Sequence, residues 1–455
     1  MSWALSCLSL RKYYNNIVLY TDSEGYRILI EKLKLPYSDV VVQYDNLPCL
    51  PQHWAYSKVM TYSLQHKPFL HVDSDFYLTQ RLPKRILEAK LVAQNGEYGT
   101  SYYKNMVDNL FNQTSIKLPN YLNTGLRMES IPSFNMGLFG GHDLNFIRQY
   151  CQEIFSFFDE NNLNNTTNKD AVVYCNVIFE QIFFAIMVKE TGLQVESLLN
   201  RNIQDNGYTV NDFCNLTLYK KKSFFHLIGG HKKNKFVCES LERALMRTNP
   251  ECYENIIRLF PLRHRRLAHQ LHITGSDEEC MLQYENFIRQ QEDIYKDLPF
   301  DKLFKQEQNA SHYSDFLNAS KGIQRGTVFI RHPQLSIFRI PKEWPQHVCE
   351  LLRKRFPSYG PKEYSEVAVI PILTESGLRE VCIDDATYNI LALLDTPKRF
   401  DYLQKDFQNC FSVTLRNQRE KIIKCFSQAL SYLLFYGMIT IETDGKQPYI
   451  VKGER

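Results

Sequence analysis

The chain has 455 residues, 44% of them apolar and 13% aromatic, which is enough for two or three domains with sizeable cores. Its 54 lysines and arginines nearly balance 50 aspartates and glutamates, so there is no overall basic footprint and nucleic acid is not the expected partner. The 12 cysteines form no C-x-x-C pair, no apolar run reaches the roughly 18–20 residues of a membrane span, and MSWALSCLSLRKYYNN lacks a signal-like apolar stretch and cleavage site. A cytoplasmic protein with buried free thiols and no membrane span is expected.

In chain order, residues 2–13 are predicted helical, then IVLYT (17–21) a strand, GYRILIEKLKL (25–35) a helix and VVVQY (40–44) a strand. HWAYSKVMTYSLQ (53–65) reads as a helix leading into a strand at FLHVD, and KLVAQN (90–95) supplies another strand. Strands alternating with helices predict an α/β domain with a largely parallel sheet, whose site gathers at the carboxyl ends of strands. LNFIRQYCQEIF is a helix, NNLNNTTNKD (161–170) a polar loop, and VIFEQIFFAIMVKE an apolar helix. Residues 240–318 carry charge-rich helical patterns. Within them RLAHQLH, with His264 just before it and His269 and His272 inside it, reads as a solvated basic helix rather than a metal site. The last third offers strands at TVFIRH, LSIFRI and VAVIPIL around a helix near 345–356. Helix, turn, helix, strand follow over 386–442, with Gly437 placed to end the long helix. That order is the pattern of a small winged-helix domain.

Four features carry chemistry. FLHVDSDFYL (69–78) places Asp73 and Asp75 on one side of an extended chain, with Ser74 opposite. Two adjacent carboxylates repel, and a divalent cation such as Mn²⁺ or Mg²⁺ resolves the conflict; the alternative is a polar turn at a strand end. In KKKSFFHLIGGHKKNKF, His226, Gly229 and Lys232 form H-x-x-G-x-x-K. An imidazole suits Mn²⁺, Gly229 and Gly230 admit a diphosphate close to the backbone, and Lys232 offers a mobile positive charge. The alternative there is a strand end with a basic turn. SFNMGLFGGHD (133–143) reads as a tight strand-to-helix connection in which Asn135, Gly137, Gly140 and Gly141 could meet a donor sugar. Asp143 is either a site carboxylate or a helix N-cap, whereas Phe134 and Phe139 read as core. Finally, Glu180 and Gln181 sit inside an apolar helix and are either an active-site pair or one exposed helix face; Lys58 is a candidate phosphate contact and Trp54 reads as packing.

HVDSD, NMGLFGG, an acidic-polar helix and HLIGGHK, in that order, resemble the metal-dependent glycosyltransferases of the GT-A fold. In texture residues 1–240 are similar to glycogenin and the bacterial lipopolysaccharide galactosyltransferases, and also to uncharacterised bacterial glycosyltransferase-like proteins. The resemblance implies a GT-A-type, Rossmann-like mixed-sheet domain over 1–240; the change in texture and the element order place a helical connector over 241–320 and a smaller winged-helix-like α+β domain over 321–455. The resemblance also implies Asp73, Asp75 and His226 as Mn²⁺ (or Mg²⁺) ligands on the diphosphate of a nucleotide sugar such as a UDP-sugar, with Lys232 on the leaving phosphate. Lys58, Ser74, Asn135, Gly137, Gly140, Gly141, Gly229 and Gly230 would line the donor, and Glu180, Gln181 and Asp143 are the candidate catalytic groups. Two departures stand out: His71-Val72 precedes the aspartate pair where the family often has Leu or Tyr, and the chain opens on a helix where the family opens on a nucleobase-binding strand.

The expected function is transfer of a sugar to an acceptor peptide, protein or glycan, the peptide suggested by winged helices that grip leader peptides through strand addition. The alternative is a nucleotide-sugar-binding or degenerate transferase domain serving a winged-helix protein that binds peptide or nucleic acid. Lys398, Arg399, Lys405, Arg416, Arg419 and Lys421 would serve nucleic acid, although acidic residues are interleaved.

Overall fold

The computed structural model describes residues 1–113, 116–163, 174–260, 276–353, 356, 363–373, 377–411 and 418–442. The chain divides into two compact units, one formed by Ser2–Asn215 with Tyr219–Lys232, the other by Met1, Leu216–Leu218 and Lys233 onward. RLAHQLH, Arg416 and most of the polar loop at 161–170 lie outside the described residues.

The first unit opens on the helix Ser2–Arg11 and a parallel pair, β1 (Val18–Thr21) with β2 (Asp39–Val42), in register from Val18↔Asp39 to Thr21↔Val42. Asp22 caps the intervening helical segment by accepting a hydrogen bond from Gly25 N at 2.6 Å. After the helix Trp54–Ser63 come β3 (Phe69–Val72), β4 (Phe76–Leu78), β5 (Val92–Gly99) and β6 (Ile131–Gly141). The helix Leu144–Glu160, a π-helical turn at Ile178–Ile182 and the helix Phe183–Thr191 follow. The unit closes with β7 (Glu196–Ser197), β8 (Ile203–Gln204) and β9 (Phe224–His226).

The main sheet runs β3-β6-β5-β7, with β8 also on β5, and β4 pairs with β9. The mixed α/β class stands, but the largely parallel sheet expected from the alternation does not form. Pairs β3/β6, β5/β6 and β4/β9 are antiparallel, while β1/β2, β5/β7 and β5/β8 are parallel. Periodicity dictates element type; strand direction depends on packing between distant segments, which local pattern does not carry.

β6 is the central strand, and its alternation builds two cores. Phe139 faces Tyr62, Tyr150 and Phe184 on the helical side, whereas its neighbour Leu138 joins Leu10, Phe76, Val92 and Phe224 on the other. Each such side chain contributes about 1.5–3 kcal/mol on burial. SFNMGLFGG is thus the body of a strand, not the predicted strand-to-helix connection. Its glycines are there because neighbouring backbone comes too close for a side chain: a Cβ on Gly140, at φ 143°, would lie 2.1 Å from the Phe69 carbonyl oxygen.

In the second unit, helices Lys235–Thr248, Pro250–Leu259, Ser276–Tyr295 and Phe300–Ser311 precede two small antiparallel sheets. β10 (Val328–Arg331) lies between β14 (Lys398–Arg399) and β15 (Ile439–Ile441); β11 (Ser336–Arg339), β12 (Glu366–Pro371) and β13 (Leu378–Ile383) form the other. Helices Asp385–Leu393, Phe400–Asn409 and Arg419–Phe435 pack around Phe329, Phe407, Phe426 and Leu433, and Gly437 at φ 74° turns the chain into β15. All 12 cysteines are free, and Cys7, Cys151, Cys175, Cys214 and Cys382 are buried. Among the described residues no helix is long and apolar enough to cross a membrane.

Candidate metal centre

The aspartates do not lie on a strand. β3 ends at Val72, and Asp73–Ser74–Asp75 make the tight turn into β4, closed by Phe76 N donating to Asp73 O at 3.0 Å. The turn, not strand alternation, swings both carboxylates to one side. β4 then pairs with β9 so that Phe76 stands opposite His226, which carries the imidazole to the turn. His226 Nε2 lies 3.6 Å from Asp73 Oδ2 and 3.4 Å from Asp75 Oδ1. Each of the three residues offers one ligand atom, all within 4.8 Å of one another.

The donor set fits a divalent cation. His226 Nδ1 lies 2.7 Å from Gln94 Oε1 on β5, so Nδ1 donates its proton to the amide oxygen and Nε2 is the nitrogen that faces the carboxylates. Two hard oxygens with one imidazole nitrogen suit Mn²⁺ better than Mg²⁺. Charge counting agrees. Asp73, Asp75 and the fully buried Glu180 supply three carboxylates against the ammoniums of Lys58 and Lys232. Lys58 Nζ bridges Asp73 Oδ1 at 2.8 Å and Glu180 Oε1 at 2.5 Å, while Lys232 Nζ reaches Asp75 Oδ2 at 2.6 Å from a half-exposed position.

These charges reset the titrations. Burial pushes the Asp73 carboxyl up, but the Lys58 ammonium and the imidazoles of His226 and His71 outweigh it and hold Asp73 well below the usual carboxylate range. Asp75 is lowered against its burial by His226 and Lys232. Burial pulls His226 down, yet the facing aspartates win and raise it. Glu180 goes the other way: burial, seconded by Asp73, raises it despite Lys58.

The centre opens into a cleft of about 1250 Å³ lined, among others, by Lys58, Ser74, Asn135, Gly137, Gly141, Glu180, Gln181, Gly229 and Lys232. Trp54, read from the sequence as packing, also lines it and is 49% exposed, with the Lys58 ammonium 5.6 Å from its ring centre. Glu180 does not lie on an exposed face; it sits on the π-helical turn, a local widening frequent at functional sites. Gly140 belongs to the β3/β6 pairing, and Gly230 stands in open space on the turn after β9. Asp143 is the N-cap of the helix Leu144–Glu160, accepting from Phe146 N at 3.1 Å, and that bond commits its carboxylate.

Three groups escaped the sequence. Gln94 and Glu97 lie on β5, whose predicted range stopped at residue 95, and Tyr208 comes from a turn beyond β8. The polar run QNGE after LVA was the available signal: consecutive polar residues inside a buried strand need partners. Glu97 is buried, and its two oxygens accept from the hydroxyls of Tyr103 and Tyr208. Tyr208 OH also accepts from Asn95 Nδ2 at 2.9 Å and Asn135 Nδ2 at 3.4 Å, and Asn135 Oδ1 accepts from Gly137 N at 3.0 Å. Burial, opposed by Tyr208 and Asn135, pushes the Glu97 carboxyl up to about 7.

The family described as of unknown function, DUF6734, matches residues 1–259. The chain belongs to the DUF6734 family. No curated protein matches the chain, and no solved structure matches it. The matched span of this DUF6734 protein contains every residue of the centre.

Gly137 gives the centre a local test. A Cβ there would lie 2.3 Å from His226 Cε1, 2.5 Å from its Nδ1 and 2.6 Å from Gln94 Oε1. Gly137→Ala must displace the imidazole from its amide partner. We expect Mn²⁺ affinity to fall about 10–100-fold and stability by about 1–3 kcal/mol, read by metal titration and denaturant unfolding.

Proposed function

We propose that this DUF6734 protein is a metal-dependent glycosyltransferase that moves a sugar from a nucleotide diphosphate sugar, in first place a UDP-sugar, to an acceptor hydroxyl. The observation that carries this is the Asp73–Asp75–His226 cluster at the wall of a large cleft, with Lys232 beside it. A Mn²⁺ ion held there would supply positive charge to the diphosphate oxygens as the bond to the sugar breaks. The protein's own groups do the rest. Gln94 orients the His226 ring, Lys58 steadies Asp73, and Lys232, half-exposed beside Asp75, would offer its ammonium to the leaving phosphate. Gly229, at φ 50° with nothing within 4 Å of its missing Cβ, leaves the backbone of that turn open to the diphosphate.

The reading extends to the fold and to the acceptor. The order of strands, turn and glycine-rich central strand in the first unit supports a GT-A-type domain, and three helices with the sheet β14-β10-β15 support a winged-helix-like module in the second. A peptide acceptor gripped by that module is the partner we propose, in the cytoplasm.

Calorimetric titration with UDP, with and without Mn²⁺, tests the function. Binding that needs Mn²⁺ and favours UDP over GDP is expected. Equal binding with and without the metal, or none at all, ends the proposal.

A further inference from the structure

The helix Trp54–Ser63 turns Trp54, Ser57, Lys58 and Thr61 toward the cleft, the spacing of one helical face. Lys58 is accounted for by Asp73 and Glu180. Trp54, one turn earlier, is not accounted for by packing. Its neighbours His53 and Ala55 are buried, while the indole is 49% exposed. The backbone that carries it is nevertheless pinned on both sides. The buried Asn176 side chain spans the residue, donating from Nδ2 to Gln52 O at 2.9 Å and accepting at Oδ1 from Ala55 N at 3.0 Å. His53 Nε2 donates to the Leu163 carbonyl at 3.2 Å, and its ring stands edge-on to Phe158. An indole held this firmly yet left in water forgoes a large gain from burial, a gain that a ligand covering the ring would restore.

The position of the ring points to the part of the ligand it meets. The Lys58 ammonium lies 5.6 Å from the ring centre and 2.8 Å from Asp73 Oδ1, a candidate metal ligand. A sugar joined directly to a phosphate at that centre comes within reach of the indole, whereas the base is set apart from it by a second phosphate and a ribose. Val177 and Gln181, one turn apart and following Asn176, also line the cleft. A pyranose presents an apolar C–H face edged by hydroxyls, and an aromatic face with an amide nearby is the surface that matches it.

We propose that Trp54 is a specificity-determining residue whose ring is the platform for the pyranose of a UDP-hexose donor. This rests on the transfer function proposed above and adds the class of sugar carried. The half-exposed ring can be removed without leaving a cavity in a core, so Trp54→Ala and Trp54→Phe should both fold.

The test is calorimetric titration of wild type and both variants, with Mn²⁺ present, against UDP, UDP-glucose, UDP-galactose and UDP-N-acetylglucosamine. In Trp54→Ala the sugar nucleotide that wild type binds best should weaken about three- to tenfold, while UDP keeps its wild-type affinity. Trp54→Phe, which retains a ring, should recover most of that loss. In the wild type the same sugar nucleotide should change indole fluorescence beyond the effect of UDP. Trp54→Ala, which keeps Trp3 and Trp344, should lose that difference.

Equal losses for UDP and the sugar nucleotide would make Trp54 a support for Lys58 and overturn the platform. Unchanged sugar-nucleotide affinity in Trp54→Ala overturns it too, as does a wild type that binds UDP with Mn²⁺ but none of the three sugar nucleotides. In each of these cases the metal-dependent UDP site still stands. Absence of Mn²⁺-dependent UDP binding in the wild type brings down the transfer function itself, and the platform with it.

Discussion

Asp75→Ala is expected to remove Mn²⁺-dependent nucleotide binding while leaving the metal-free protein folded. Among the described residues the side chain supplies one of three ligand atoms, and even a supporting group such as Gln94 is worth about 10–100-fold in affinity. The loss for a direct ligand should therefore exceed about a hundredfold. Stability of the metal-free protein should fall modestly, because His226 and Lys232 hold Asp75 below its usual carboxylate range in the fold and those favourable contacts are lost. Calorimetry with UDP and Mn²⁺ reads the first effect and thermal unfolding without metal the second. A variant that still binds both with wild-type affinity would show that the cluster does not hold the cation. Affinity in the wild type should also fall as pH is lowered, since the aspartates raise the His226 titration and the proton competes with the metal at Nε2.

Lys58→Met carries the largest expected effect on stability. It strips the cation from between Asp73 and Glu180, leaving a fully buried carboxylate unpaired. Breaking a buried pair from one side costs about 3–5 kcal/mol. Glu180→Gln should cost much less, because Lys58 keeps Asp73 as its partner. The two variants should also differ in pH response. Burial already raises the Glu180 titration with Lys58 in place, and losing that ammonium raises it further, so the native variant binds more protons than the unfolded chain and the deficit shrinks as pH falls. Mn²⁺ should recover part of the loss by replacing the missing charge. Denaturant unfolding at two pH values, with and without Mn²⁺, measures all of this; equal costs for the two substitutions would refute the bridging role.

Much of the local structure was legible because it depends on neighbours in sequence. The helix at Leu144–Glu160 follows apolar periodicity, those at Ser2–Arg11 and Trp54–Ser63 are runs free of Gly and Pro, and Gly437 ends its helix as a glycine past the last turn does. Asp73, Asp75 and His226 stood out because carboxylates and an imidazole beside apolar strands are hard to satisfy without a partner. How they meet was not legible. The Phe76↔His226 register is a long-range fact, and so is the use of β6 as a central strand whose glycines admit the Phe69 carbonyl and the His226 ring. Gln94 and Glu97 were missed for the same reason: a polar residue in a strand declares its role only when the facing strand and turn are known.

The pairing of β4 with β9 has a consequence for assembly. Asp75 and His226 close a loop of roughly 150 residues, the kind of closure whose entropic cost delays formation until the intervening chain is in place. A cation gripped by both ends would act as a removable cross-link on that loop. The first unit should then unfold more slowly when loaded, and the segment carrying β9 should be the first to open when the ion is withdrawn.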